Sequence, residues 1–224
     1  MQRTRDRRCT LRKNDVVAWF LLFSLPEFVI GQPKDPPGPV DKLATSNPPA
    51  TIQGEPGRER ATRDKFDLEE SKRINTAVAQ VIRRSEELWP ELVKHLSDDR
   101  YSKTVGIDAG YPRNWSVGDI CQDIIGTTLS AAYYRHLQPG TKQSYHRFHI
   151  PDIAKDKLKL REWCVARKDR KLFELQIEVC EWAITEIKTS DMGVKEKQRI
   201  TTAIQKEIDG LAKSRVAIPC PASY

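Results

Sequence analysis

The clearest helix signal in the chain is the stretch KLFELQIEVCEWAITEIK, residues 171–188. Apolar side chains at three- and four-residue spacing cover two flanks of the predicted helix, and polar residues remain only in one narrow strip. A helix that is apolar on most of its sides is surrounded by other elements of the core. Residues 171–188 therefore predict a central helix, around which the rest of a helical domain packs.

Amphipathic helical periods also occur on either side of this central stretch. Asp67 and Ser116 are predicted N-caps, because each is followed three residues later by an acidic residue and then by an apolar stripe. The patterns together predict an all-α single domain of five to six helices over residues 66–224. Short stretches at 101–107, 145–150 and 216–220 alternate apolar and polar residues instead. They are consistent with a minor sheet, but we expect them to be extended connections.

Residues 1–31 have the pattern of a secretory signal peptide. Six basic residues precede an apolar stretch, and Pro26 and small residues follow it, which allows cleavage before Gln32. An uncleaved membrane anchor over residues 16–30 is the alternative, although a spanning helix needs about 20 apolar residues. The sequence thus predicts a secreted, periplasmic or envelope-associated protein, with a membrane-anchored protein as the alternative.

The next segment, residues 32–65, holds seven of the fourteen prolines and no aromatic residue. Such a composition favours extended polyproline geometry and offers little that can bury a core. We therefore expect a Pro-rich disordered linker between the signal peptide and the helical domain.

The formal net charge is +7, and cleavage after residue 31 removes six basic and three acidic residues, which leaves +4. In the remaining chain Lys and Arg alternate with Asp and Glu. Nucleic-acid binding requires a concentrated basic face. The sequence therefore predicts no nucleic-acid partner, and contact with a membrane only if the N-terminal segment stays uncleaved.

Four cysteines remain after cleavage: Cys121, Cys164, Cys180 and Cys220. An even number of cysteines in an exported chain permits two disulfides, with three possible pairings. Cys164 and Cys180 lie on consecutive predicted helices, so a Cys164–Cys180 disulfide is the pairing we expect. Buried reduced thiols are the alternative, since unpaired cysteine often serves as a small apolar residue.

Three carboxylates, Glu174, Glu178 and Glu181, share one face of the predicted helix at 171–188. Burial would raise the pKa of such a carboxylate toward the range of a general acid or base. The favoured interpretation is simpler, because charged strips are normally solvated edges of a helix.

Three histidines, His136, His146 and His149, lie within fourteen residues. Three imidazoles can bind a zinc ion and leave a fourth position for water. No His-Glu-x-x-His pattern accompanies them, so solvated or locally hydrogen-bonded histidines are the favoured alternative.

The segment 98–116 joins two predicted helices and is long for a compact helical domain. Aromatic and Arg side chains interleave along it, and such residues supply contact area and bidentate recognition of anions. The alternative is a loop that its own aromatic residues attach to the core. The predicted binding residues are Arg100, Tyr101, Tyr111, Arg113 and Trp115.

Standard catalytic and nucleotide-binding motifs are missing from the sequence, which contains no Gly-x-Gly-x-x-Gly, phosphate-loop or Gly-x-Ser-x-Gly pattern. We predict no cofactor. The first hypothesis for function is a secreted or envelope-associated helical protein that binds an unidentified protein or an anionic ligand through residues 98–115. The second is a small extracytoplasmic hydrolase that uses the clustered Glu residues or a His-bound metal.

Overall fold

The computed structural model describes residues 37–55, 60–62, 65–107, 111–134, 136 and 152–220, and this part of the chain is mostly helical. The signal peptide predicted at residues 1–31 and the alternating stretch at 145–150 lie outside the described residues. The helices are α1 (Leu68–Arg83), α2 (Trp89–Lys94), α3 (Val117–Tyr134), α4 (Lys157–Val165), α5 (Leu172–Thr189) and α6 (Val194–Ser214).

Two small antiparallel sheets accompany the helices. Strand β1 (Thr51–Gln53) pairs with β2 (Arg60–Thr62), and β3 (Tyr101–Val105) pairs with β4 (Arg113–Ser116). The predicted helical character is therefore confirmed, but the strict all-α description is too narrow. Of the alternating stretches, residues 101–105 form a strand, which corrects our expectation of an extended connection there.

Helix α3 is the most enclosed element of the described core. Thirteen of its eighteen residues are buried, compared with eight of the eighteen in α5. Small residues such as Gly126, Ala131 and Ala132 let neighbouring elements approach α3 closely, whereas Trp182 and Ile184 of α5 stay partly exposed. The predicted central position of 171–188 is thus shared with α3.

Among the described residues, no helix combines the length and apolar character needed to cross a membrane.

The two predicted N-caps are confirmed by their hydrogen bonds. The Asp67 side chain accepts from the backbone N–H groups of Glu69 and Glu70 at the start of α1. At the start of α3, the Asp119 carboxylate accepts from the backbone N–H of Ser116, and Ser116 Oγ accepts from the N–H of Asp119. These reciprocal bonds satisfy donors that a helix start would otherwise leave unpaired.

Part of the expected linker packs onto the helices. Val40 and Leu43 are fully buried, and Arg73 of α1 donates to the backbone carbonyls of Lys42 and Ala44. The Asn47 side chain donates to the Asp67 carbonyl and accepts from its N–H. Prolines surround these few apolar residues in the sequence, so composition alone gave no sign of their burial.

The C-terminal tail, residues 215–220, is attached to the core by one buried amide. Gln176 is fully buried, and its Nε2 donates to the carbonyls of Thr128 and Ile218. Its Oε1 accepts from the Ile218 N–H at 2.9 Å. One side chain on α5 thereby joins α3 and the tail through bonds to backbone groups of both.

Replacement of Gln176 by Leu should lower the free energy of unfolding by about 2–4 kcal/mol, because the half-buried N–H and carbonyl of Ile218 lose their partner and the Thr128 carbonyl, which is within α3, loses its bond to Gln176. Urea denaturation followed by circular dichroism measures the change. Gln205→Leu is the matched control, since Gln205 is exposed on α6, and it should change stability by less than about 0.5 kcal/mol. Equal effects of the two substitutions would contradict the role given to Gln176.

Candidate functional site

The predicted binding segment is a β-hairpin formed by β3 and β4. Tyr101 pairs with Ser116 and Val105 pairs with Arg113, with an irregularity in register between Tyr101 and Lys103. The strands are only five and four residues long, and β4 has no clear alternation of apolar and polar residues. The expectation of an irregular connection between two helices is therefore wrong for this segment.

Gly106 and Tyr111 lie close together just beyond the paired ends of β3 and β4. The φ of Gly106 is +72°, in the left-handed region that favours glycine, and its carbonyl accepts from the Tyr111 N–H at 3.0 Å. A Cβ atom at this position would lie 2.4 Å from the Tyr111 carbonyl oxygen. The close approach of Gly106 to the Tyr111 carbonyl therefore determines the position of the Tyr111 backbone relative to the end of β3.

The base of the hairpin is bonded directly to the first turn of α3. The Val117 N–H donates to the Arg100 carbonyl and the Gly118 N–H to the Asp98 carbonyl, both at 2.8 Å. A Cβ on Gly118 would lie 2.5 Å from the Leu96 carbonyl oxygen, so only glycine fits without movement of the backbone. The hairpin is thus held against the most buried helix of the structure.

Arg100 belongs to an ion-pair network at this base. Its Nη2 lies 2.6 Å from Asp98 and 2.8 Å from Asp41, and His95 Nδ1 lies 2.9 Å from Asp98. The hydrogen bond from Arg100, followed by that from His95, holds the pKa of Asp98 well below its usual range. The guanidinium predicted to recognise an anionic ligand is therefore occupied by carboxylates of the protein itself.

Tyr101 and Trp115 also face the protein more than the solvent. The Tyr101 hydroxyl lies 2.8 Å from Thr104 Oγ1, which donates to Asn114 Oδ1 at 2.7 Å. Asn114 in turn bonds the backbone N–H and carbonyl of Ala50, and Trp115 packs partly buried against the core. These residues attach the hairpin to its surroundings, as the alternative interpretation of the segment proposed.

Three described residues near the end of the hairpin are exposed to solvent. The side chain of Tyr111 is 60% exposed, that of Ile107 is 39% exposed, and Arg113 is exposed as well. We name Ile107, Tyr111 and Arg113 the hairpin surface. It combines an aromatic ring, an aliphatic side chain and a cation on a backbone that hydrogen bonds hold in place.

Lys103 and Asp123 interact electrostatically, and no motif in the sequence marks them as a site. Burial lowers the pKa of Lys103, and burial raises the pKa of Asp123 to about 6 although the nearby Lys103 opposes that shift. One residue is on β3 and the other on α3, so no sequence motif brings them together. Only the packing of the hairpin against α3 reveals their proximity.

The three carboxylates predicted on 171–188 have different surroundings. Glu174 accepts from the Lys171 N–H as part of a helix cap, and Glu181 is exposed. Burial acts to raise the pKa of Glu178, but hydrogen bonds from Arg167 and Arg170 outweigh it and hold that pKa below its usual value. The less favoured hypothesis, in which burial raises the pKa of one of these carboxylates, is therefore wrong for Glu178.

The three histidines are not brought together within the described residues. His136 Nε2 lies 2.9 Å from Glu207 Oε1 of α6, whereas His146 and His149 lie outside the described residues. In the described part of the chain, no group of three His, Cys, Asp or Glu side chains has an arrangement suited to a metal ion.

The predicted Cys164–Cys180 disulfide is wrong in this structure, which has Cys121, Cys164, Cys180 and Cys220 as reduced, buried thiols. Burial raises the pKa of both Cys121 and Cys164 to about 12. Because the thiolate is the reactive form, such thiols pack as small apolar residues instead of acting as nucleophiles.

Comparison with protein-family models, with curated proteins and with solved structures gives no match for this chain. Function is therefore inferred from the geometry of this chain's own residues.

Gly118→Ala should lower the free energy of unfolding by more than about 2 kcal/mol, because the new methyl group collides with the Leu96 carbonyl. Gly210→Ala is the matched control on α6, where a Cβ meets nothing within 4 Å. That control should stabilise the protein by about 0.5–1 kcal/mol, since alanine is the better helix former. Urea denaturation of both variants tests the close approach, and two stabilising substitutions would contradict it.

Proposed function

We propose that the protein is a secreted or envelope-associated interaction protein that contacts a partner protein through the hairpin surface. The observation that carries this proposal is the exposure of Tyr111 and Arg113 at the end of a hairpin whose base is bonded to α3. Tyr and Arg are the side chains that most often dominate binding energy in protein interfaces. The helices, in this proposal, serve as the scaffold that holds them.

The hydrogen bonds of the described part of the hairpin support the proposal. The bond between Gly106 and Tyr111, the Asn114 bonds to Ala50 and the bonds of Val117 and Gly118 order the described part of the hairpin before any partner arrives. A surface that is ordered in advance loses less conformational entropy on binding. A small set of exposed side chains can then give useful affinity.

The chemistry of the surface indicates the kind of partner. Arg113 is exposed, whereas Arg100 is bonded to Asp41 and Asp98, so Arg113 is the hairpin guanidinium that can reach a carboxylate on another molecule. The neighbouring Tyr111 and Ile107 add apolar contact area. We therefore propose a protein partner with an acidic group next to an apolar patch.

Export is supported by the basic and apolar pattern of residues 1–31. Burial of the four thiols is compatible with an oxidising compartment, because buried thiols are shielded from oxidants. The alternative is a membrane-anchored form held by residues 16–30. The mass measurement described next distinguishes it from the cleaved, exported form.

After expression in the native host, the intact mass should correspond to a chain that begins at Gln32. Alkylation of the denatured protein without reductant should add four adducts, one for each of Cys121, Cys164, Cys180 and Cys220. A mass that retains Met1 to Gly31, with a fifth adduct on Cys9, would contradict export with cleavage and favour the anchored alternative.

A photoreactive phenylalanine analogue at position 111 should crosslink a partner in the native host, and the same analogue at Leu158 should not, although Leu158 is 64% exposed on α4. Arg113→Glu should reduce the position-111 adduct at least about fivefold, because it replaces the attractive charge with a repulsive one. Arg161→Glu, at an exposed Arg of α4, is the matched charge control. Identical adducts from positions 111 and 158 would contradict the proposed surface.

A further inference from the structure

A second feature of the molecule lies beneath the hairpin, between α1 and β3. It is a cleft of about 210 Å³ whose walls come from α1, from β3 and from the segment around Asn47. Asn75 on α1 is exposed, whereas Ser102 on β3 is only 2% exposed, so the cleft leads from the surface inward. We name this cavity the α1–β3 cleft.

The walls of the α1–β3 cleft are polar. Seven of its ten lining residues carry a hydroxyl or an amide, and Phe66 and Ile74 supply an apolar side. Small-molecule sites commonly combine a few polar groups in fixed positions with apolar or aromatic surface. The composition of the cleft thus suits a ligand that has several hydroxyl groups and one apolar face.

Several of these polar groups are held in place by other parts of the protein. Thr45 Oγ1 donates to Glu70, the Asn47 side chain bonds the backbone of Asp67, and Tyr101 bonds Thr104. They form a pre-ordered wall whose remaining lone pairs and protons can meet a ligand without rearrangement.

Ser102 is the residue that distinguishes the cleft from an ordinary surface groove. Its hydroxyl is buried and has no hydrogen-bond partner among the described residues. A buried polar group without a partner destabilises the fold, and native structures hold few such groups. A serine hydroxyl rotates about one side-chain dihedral, so a polar molecule in the cleft can provide the missing partner.

The charge of the cleft favours a neutral ligand. None of its ten lining residues is acidic, and Lys103 is the one basic residue among them. Asp123 acts electrostatically on Lys103, so the cation already has an opposite charge nearby. The cleft therefore has no acidic residue to attract a cation, and its one basic residue already interacts with a carboxylate and is not left to attract an anion.

The volume sets the size of the ligand. About 210 Å³ equals the space of about seven water molecules and is below the range of drug-sized pockets. From the lining chemistry, the buried Ser102 hydroxyl and this volume, we propose that the α1–β3 cleft binds a neutral polyhydroxylated molecule of monosaccharide size. This inference goes beyond the proposed function, because it assigns a small-molecule site away from the hairpin surface.

Titration of the ¹⁵N-labelled full chain with glucose, galactose, mannose and inositol tests the proposal. At least one of them should shift the amide signals of residues 71–75 and 101–104 in a saturable way, with a dissociation constant in the low millimolar range. Gluconate and glucosamine, the anionic and cationic counterparts of glucose, should bind at least about tenfold more weakly than the best neutral sugar.

Ser71→Leu should abolish these shifts, because a larger apolar side chain from α1 fills the cleft. Thr76→Leu is the matched control, since Thr76 is an exposed hydroxyl residue of α1 that does not line the cleft, and it should leave binding unchanged. Ser102→Ala should weaken binding about three- to fivefold without lowering the melting temperature of the ligand-free protein, because its hydroxyl contributes no bond to the fold.

Three results would overturn the proposal. The first is the absence of saturable shifts for all four neutral compounds up to about 50 mM, which would indicate a cleft that holds only water. The second is equal loss of binding in Ser71→Leu and Thr76→Leu. The third is a lower melting temperature for Ser102→Ala, which would show a structural partner for the hydroxyl. Tyr111 and Arg113 do not line the cleft, so the crosslinking experiment on the hairpin surface can succeed or fail independently of the sugar titration.

Discussion

The buried amide of Gln176 is the interaction on which the arrangement of the core depends. It connects α5 to a carbonyl of α3 and to both backbone groups of Ile218, so three separate parts of the chain meet at one side chain. Its position fixes the tail over the core, where Ala217 and Cys220 are buried. It also holds α3, whose first turn carries the hairpin. The site at one end of α3 and the tail near its middle are therefore parts of one packed unit.

Much of the helical part of the fold follows from the sequence, because helix periods and caps are local signals. Asp67 and Ser116 cap the helices that they were predicted to cap. The central role of α3 was less visible, since glycine and alanine add little apolar signal yet permit close packing. The burial of Val40 and Leu43 depends on contacts with distant segments, which composition does not encode.

The candidate site shows the same division between local and distant information. The sequence indicated that residues 98–116 combine aromatic and Arg side chains, and five residues were predicted to act together. The structure divides them: Arg100 bonds Asp98 and Asp41, whereas Tyr111 and Arg113 are exposed. The pairing register of a short strand decides which of its side chains face the protein. No pattern in this sequence indicates that register. The Lys103 and Asp123 pair was missed for the same reason.

The direct passage from β4 into α3 has a mechanical consequence. Strand β4 ends at Ser116 and the helix starts at Val117, so no flexible connection separates the exposed hairpin from the most buried helix. A displacement of the hairpin would therefore act directly on the first turn of α3, where the Val117 and Gly118 N–H groups bond the carbonyls of Arg100 and Asp98. A partner that binds the hairpin would thus contact a strand that continues directly into a core helix, and not a separate loop.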